Sequence, residues 1–299
     1  MYHYVRDYKN SKYKNLKALS FENFKRQIKF LKKNYKFYNP NTNLKENLNK
    51  SLCWLTFDDG YIDHFNNVLP ILEENNIKGS FFITSNIENK SVLEVNKIQF
   101  ILEKKNIIFL LGQIKKMYRE IKKLHNNDEL DFIIKNIRLD HRYDDKYTII
   151  VKRLLQREIP NTIRKKIINT LFKKYVCKND LKFHKELYLN LKQLKIMRKL
   201  GHEIGNHTKN HKWLSRLKID DQELEIKDNL RFLKKNKLIN DKWTMCYPYG
   251  DFNANTISLL KKYKCSRALT TIVNKTNKNN NFFKLPRLNT NDFYPISIK

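Results

Sequence analysis

The chain has 299 residues, 40% hydrophobic and 12% aromatic, enough to bury the core of one or two domains and to exclude a disordered polymer. Lys and Arg number 61 against 30 Asp and Glu, a formal net charge of +31. That excess reads either as compositional drift, with Lys spread over ordinary helix faces, or as the mark of a polyanionic neighbour; no zinc finger, RNP-like aromatic stretch or basic zipper accompanies it, so nucleic acid is not expected as a partner.

In chain order, Tyr2 to Val5 predicts a short first strand. Phe21, Phe24, Ile28 and Leu31 recur at helical spacing behind Ser20, a suitable cap. Ser51 to Phe57 is a near-continuous apolar run, predicting a buried parallel strand that empties into Asp-Asp-Gly. Ile62, Phe65, Leu69 and Leu72 mark a helix, and Gly79 to Thr84 the next strand. From about Glu88 to Leu187 the pattern turns Lys-rich and helical. Alternation resumes with a helix through Leu187, Leu191, Leu194 and Leu200, closed by Gly201. Strands are then expected near Glu203–Asn206, Thr244–Tyr247, Arg267–Thr271 and Phe283–Arg287, with helices at about Gln222–Lys235 and Ala254–Tyr263. Strand–helix alternation predicts α/β architecture, and Asp58, His207 and Tyr249 would all fall after the carboxyl ends of strands, where parallel barrels place reactive groups.

The four cysteines, Cys53, Cys177, Cys246 and Cys265, form no C-x-x-C pair, which predicts buried free thiols and a reducing compartment. Met-Tyr-His-Tyr-Val carries no signal-peptide pattern, and no apolar run approaches the ~18–20 residues that span a bilayer. The expected location is the cytoplasm, with an anionic inner membrane face as a candidate peripheral contact.

Three short segments carry chemistry. In Thr56-Phe57-Asp58-Asp59-Gly60, adjacent carboxylates at a strand end can splay, one toward a metal and one toward water; alone, Asp-Asp-Gly reads as a surface turn. In His207-Thr208-Lys209-Asn210-His211, two imidazoles four residues apart can meet at one cation, and zinc accepts two imidazoles and a carboxylate while leaving a position open. In Cys246-Tyr247-Pro248-Tyr249-Gly250, Pro248 holds Tyr247 extended and Gly250 permits a turn, which can aim the Tyr249 amide at a substrate oxygen; alone it is an aromatic turn.

Together and in this order, the three segments resemble the polysaccharide deacetylases (NodB-like, carbohydrate esterase family 4), whose T-F-D-D-G, H-[ST]-x-x-H and Y-P-Y-G motifs they match. Leu285-Pro286-Arg287 resembles the L-P-R strand of that variant. The resemblance covers about 1–87 and 187–290. It implies a distorted (β/α) barrel forming one domain over 1–299, with the helical stretch of about 88–187 inserted in it. It further implies Asp59, His207 and His211 as the ligands of one divalent ion, zinc being expected, and Asp58 as general base. The Tyr249 amide is the implied oxyanion donor, and Thr208 a brace of the metal loop. The implied activity is removal of N-acetyl groups from a sugar in a polysaccharide, oligosaccharide or lipid-linked glycan. The alternatives are hydrolysis of another non-peptide C–N bond, or a glycan-binding protein with a dead site.

Two departures stand out. The arginine that many members carry before the groove motif is replaced by Thr244-Met245-Cys246, so Arg287 is the candidate to hold Asp58. No histidine follows His211, so the late catalytic histidine is missing. Tyr2-His3 resembles the early Y-H motif of poly-N-acetylglucosamine deacetylases, which makes His3 the candidate acid. His64, His125, His141, His184 and His202 have no such context and read as surface or core residues.

Overall fold

The computed structural model describes residues 1–42, 51–139, 142–277 and 279–293. The chain folds into two compact units: Met1–Asp7, Lys17–Ser91 and His184–Lys299 form one, and Tyr8–Leu16 with Val92–Phe183 the other.

The first unit is built on parallel sheet. A two-residue pair, β1 (Lys36–Phe37) and β2 (Leu52–Cys53), lies apart from the main sheet. The main sheet comprises β3 (Thr56–Phe57), β4 (Ser80–Ile83), β5 (Glu203–Asn206), β6 (Trp243–Cys246) and β7 (Cys265–Leu269), paired in chain order and all parallel. The strands are short and, apart from Glu203, Ser266 and Arg267, buried, as suits a parallel sheet covered on both faces. Helices Ile219–Lys235 and Ala254–Lys262 make the crossovers on either side of β6. This is a curled half-barrel of the expected distorted (β/α) type. An aromatic row crosses it: Phe57 stacks on Phe81 in register (centroids 4.7 Å) and on Tyr2 (5.2 Å). Those side chains lock β3 and β4, and with them the segment that emerges at Asp58.

Several elements differ from expectation. Ser51–Phe57 is not one strand, because the chain leaves β2 for a second sheet at β3. Tyr2–Val5 is not a strand either; it makes isolated parallel bridges at Tyr2 with Phe57 and at Val5 with Leu19. Phe283–Arg287 bridges only at Leu285, opposite Leu269. Beyond it the backbone still bonds the chain after β7, Leu285 O accepting the Thr270 N–H and the Arg287 N–H donating to Ile272 O (both 2.9 Å), and the Arg287 side chain reaches Asp58. The helix expected through Ile62 and Leu72 begins as a π turn, His64–Val68, before Leu69–Glu74. The helix Phe21–Asn34 forms as predicted, with Ser20 accepting the Asn23 N–H.

The second unit is helical: Glu94–Lys104, Ile107–Lys122, Asp128–Lys135, Lys146–Arg153 and Asn161–Tyr175. Leu110, Ile114, Leu154, Ile167 and Phe172 fill its core. A buried ammonium, Lys97, meets the Asp180 carboxylate at 2.5 Å and Asn169 at 2.8 Å, which offsets the cost of burying a charge. No helix among the described residues is long and apolar enough to cross a membrane.

Candidate active site

Asp58 and Asp59 leave β3, His207 to His211 leave β5, and Tyr247 to Gly250 leave β6. All arrive at one end of the sheet. The price of that arrangement is backbone strain: Asp59 (φ 76°), Thr208 (φ 62°), His211 (φ 54°) and Tyr249 (φ 57°) all occupy the left-handed region. Each such non-glycine residue costs roughly 1–3 kcal/mol and persists only where surrounding contacts impose it. Gly250 is obligatory at φ 69°, since a Cβ there would lie 2.1 Å from Thr271 Oγ1.

The imposing contacts are visible. Thr208 N–H donates to Asn206 Oδ1 (2.9 Å), and Thr208 Oγ1 accepts the His211 N–H (3.1 Å). Helix Ile219–Lys235 clamps this loop through two side chains one turn apart. Asn229 donates to Asn206 Oδ1 (2.7 Å) and to Ile83 O (2.8 Å). Glu225 accepts from Asn210 N–H (2.7 Å) and Asn210 Nδ2 (2.8 Å).

Asp59, His207 and His211 converge, with one ligand atom from each lying within 4.8 Å of the others. His207 Nε2 lies 3.2 Å and His211 Nε2 3.3 Å from Asp59 Oδ1. His207 Nδ1 meets the Cys246 carbonyl at 2.7 Å. A carbonyl only accepts, so Nδ1 carries the proton and, in the neutral ring, Nε2 turns a lone pair toward the carboxylate. Asp59 Oδ1 is buried without a hydrogen-bond partner. Two imidazole nitrogens converging on a buried carboxylate oxygen that has no hydrogen-bond partner fit a cation between them, and two imidazoles with a carboxylate suit zinc. The other oxygen, Asp59 Oδ2, accepts the Tyr61 hydroxyl at 2.6 Å. Tyr61 is itself stacked on Tyr4, with centroids 3.9 Å apart.

Asp58 is held differently. Arg287 donates from Nη1 to Oδ1 and from Nη2 to Oδ2, both at 2.9 Å. Burial alone would raise the Asp58 pKa; the Arg287 charge and its two hydrogen bonds hold it well below the usual carboxylate range. The Cys246 thiol sits beside this pair, 3.5 Å from Asp58 Oδ2 and 3.1 Å from Arg287 Nη2. Burial raises its pKa, so it is a neutral thiol here. His3 Nε2 lies 3.9 Å from Asp58 Oδ2, with a side chain 40% exposed against 3% for Asp58. Desolvation lowers the His3 pKa, against the opposing pull of Asp59 and Asp58. Tyr249 stacks on Trp213 (4.4 Å, 10°) and meets the His211 ring edge-on (4.6 Å), and Pro248 is buried just before it.

The carboxylates, the imidazoles of His3, His207 and His211 and the Tyr249 ring thus gather at one end of the sheet, with Arg287 on Asp58. Sequence reasoning missed Tyr61, Cys246, Glu225, Asn229 and Trp213. Tyr61 had a signal, two residues from Asp59 and directly after Gly60, and Cys246 lay within the third segment. The remaining histidines scatter: His125 is exposed, His64, His184 and His202 are buried, and His141 is outside the described residues. His202 is a packing residue, accepting Gly79 N–H at Nδ1 (3.2 Å) and facing Glu73 at 3.1 Å. All four cysteines are free, but only Cys246 and Cys265 are fully buried.

A half-barrel whose strand ends gather paired carboxylates and imidazoles is the frame of the carbohydrate deacetylases. Residues 45–127 and 143–268 match the polysaccharide deacetylase family, and the chain belongs to it. His3 and Arg287 lie outside the matched stretches. In fold the chain is similar to the deacetylase PplD of Streptococcus pyogenes, solved with acetate (19% identity, TM-score 0.56, 96% of this chain, 89% of that one). It is also similar to a de-N-acetylase from Aggregatibacter actinomycetemcomitans (16%, TM-score 0.51, 96% and 92%). A polysaccharide deacetylase from Bacillus cereus is matched over 96% of this chain but 62% of its own length (17%, TM-score 0.52). Comparison with curated protein sequences returns no match.

Proposed function

We propose that this protein hydrolyses the acetamido group of an N-acetylated sugar within a glycan, releasing acetate and a free amino sugar. The observation that carries the reading is the pairing of two carboxylates with opposite surroundings, in a chain of this family. Asp59 shares its orphaned oxygen with two imidazoles, and Asp58 is gripped by a guanidinium. The helical stretch of about 88–187 is read as an insertion within a single deacetylase domain.

Asp59, His207 and His211 would hold one divalent ion, zinc by the chemistry of the donors. Its contribution when bound is Lewis acidity toward the acetyl carbonyl and toward water in the site. Asp58 takes a proton from the attacking water as the new C–O bond forms. Arg287 keeps that carboxylate ionised and oriented. The Tyr249 amide faces the developing oxyanion; such donors are worth about 2.7–4 kcal/mol elsewhere. His3 gives its proton to the nitrogen as the C–N bond breaks, a positioned transfer that typically contributes ~10²–10⁴-fold. Thr208 and Pro248 fix the loops that carry these groups.

The test is acetate release from a panel of N-acetylated oligosaccharides, polysaccharides and lipid-linked glycans, before and after removal of divalent ions. Release that stops with a chelator and returns with zinc supports the reading. Release unaffected by metal removal sinks it.

A further inference from the structure

His64 has the look of a bystander in the sequence, yet it lies on the π turn that follows Asp58-Asp59-Gly60. The extra residue of that turn is marked by the Leu69 N–H, which reaches back five residues to His64 O. Single π turns inside helices occur frequently at functional sites. Three side chains from this stretch seize the N-terminal segment. Asp63 accepts the Val5 N–H (3.1 Å) and both Nε and Nη2 of Arg6 (2.7 Å each). Asn67 Nδ2 donates to Val5 O (2.7 Å). His64 Nε2 meets His3 O at 2.9 Å. Because a carbonyl only accepts, Nε2 is the protonated nitrogen, and Nδ1 is buried without a partner.

The segment is fixed on both sides of His3: Tyr2 N–H donates to Thr56 O (2.8 Å), Tyr2 O accepts the Asp58 N–H (2.9 Å), Tyr4 O accepts the Leu19 N–H (3.1 Å) and the Tyr4 ring stacks on Tyr61, while the His3 carbonyl between them is met by His64. Its sheet contacts are the isolated bridges at Tyr2 and Val5, and His3 lies between them. The His64 ring itself cannot wander. It is fully buried and packed edge-on against Phe57 (5.5 Å) and Tyr61 (5.8 Å) and tilted against Phe81 (5.7 Å). The same rings belong to β3, β4 and the brace of Asp59.

We propose that His64 is a positioning residue for His3: its Nε2–H sets the His3 backbone, and so the reach of the His3 imidazole toward Asp58 and the leaving nitrogen. A non-bonding ring in its place leaves the His3 carbonyl without this partner and lets the His3 peptide turn between its anchored neighbours, and a misplacement of about 1 Å can cost roughly 10²-fold in rate. The inference rests on the proposal that His3 is the acid.

The experiment uses the full-length chain loaded with zinc, and compares His3→Ala, His64→Phe, His64→Gln and the double variant His3→Ala/His64→Phe. Each is assayed on an N-acetylglucosamine oligomer and on an activated aryl acetate, whose leaving group needs no proton. His64→Phe should lower kcat on the acetamide on the order of 10²-fold, with KM, bound zinc and aryl acetate turnover nearly unchanged. His64→Gln, which restores an N–H near the Nε2 position, should recover most of the loss. The double variant should be no slower than His3→Ala, since both act through one group. Wild-type acetamide turnover in His64→Phe, with His3→Ala impaired, overturns the role of His64 alone; so does equal loss on both substrates. Wild-type turnover in His3→Ala overturns the acid assignment and the inference with it. If His64→Phe does not fold, Asn67→Ser, which frees the Val5 carbonyl, takes its place with the same expected split between substrates.

Discussion

Arg287 grips Asp58 through two hydrogen bonds of 2.9 Å, each carboxylate oxygen facing its own guanidinium nitrogen, across 229 residues of chain. Arg287 Nε donates to Thr270 O (2.9 Å), which anchors the guanidinium to the end of β7. A planar fork meeting a planar carboxylate fixes orientation as well as charge. The pair therefore favours what burial alone disfavours: an ionised carboxylate, 3% exposed, at neutral pH.

Replacing Arg287 by Met should strand that anion. Removing one partner of a buried ion pair costs roughly 3–5 kcal/mol, so the melting temperature should fall clearly. The sign of the pH dependence follows from the depressed pKa of Asp58. A carboxyl held low when folded stabilises the protein above its unfolded value, about 3.9, and loses that contribution as pH falls through the folded value. The wild-type acid limb set by Asp58 should thus lie in strongly acid solution, and in Arg287→Met it should move up toward or beyond the ordinary carboxylate range. Rate–pH profiles of both proteins check this. Coincident acid limbs would mean that Arg287 does not govern Asp58.

Tyr61→Phe removes only the hydroxyl that bonds Asp59 Oδ2 at 2.6 Å, while its ring can keep its place between Tyr4 and Tyr188. Partners that orient a metal ligand typically matter about 10- to 100-fold in affinity. Calorimetric titration with zinc should show a loss of about that size, with the far-ultraviolet circular dichroism unchanged. Unaltered affinity would reduce Tyr61 to packing.

What the sequence made legible was contiguous. Asp58-Asp59-Gly60 and His207-x-x-x-His211 each place their reactive groups within a single short segment, and the parallel order of strands followed from alternating apolar runs and helical spacing. Residues that act across the fold left no such mark. Glu225 and Asn229 fall on the buried side of an ordinary amphipathic helix, where periodicity sees only a core-facing stripe. His64 sits where a regular helix was expected, and the π turn that directs it has no signature in hydrophobic spacing. Phe283–Arg287 reads as a strand in sequence, but it forms a single bridge, Leu285 with Leu269, with further backbone bonds to Ala268, Thr270 and Ile272.

The proton-donor assignment makes its own prediction. His3 acts only when protonated, and desolvation lowers its pKa below the ordinary value near 6.5, Asp59 and Asp58 opposing. Turnover of the acetamide should therefore decline on a basic limb that begins below that value. In His3→Ala the remaining slow rate should lose this limb, while KM stays close to wild type. A limb unchanged in position after the substitution would assign it to another group.

The last prediction concerns the donors of the proposed ion. With Nδ1 of His207 committed to the Cys246 carbonyl, its Nε2 and the Asp59 Oδ1 face each other at 3.2 Å, and His211 Nε2 stands 3.3 Å from the same oxygen. Without a cation or a proton between them, these electron-rich atoms repel. An ion that binds the folded chain and not the unfolded one stabilises it by mass action, about 2.7 kcal/mol at roughly a hundred times Kd. Thermal melts should accordingly rise with added zinc and fall back with a chelator. Asp59→Asn and His211→Ala should each flatten that response. Asp58→Asn should abolish acetate release yet keep the zinc-dependent rise, because Asp58 is spoken for by Arg287 and is not needed as a ligand. Equal loss of the rise in Asp58→Asn and Asp59→Asn would end the division of labour between the two carboxylates. A wild-type melt indifferent to divalent ions would end the metal site itself.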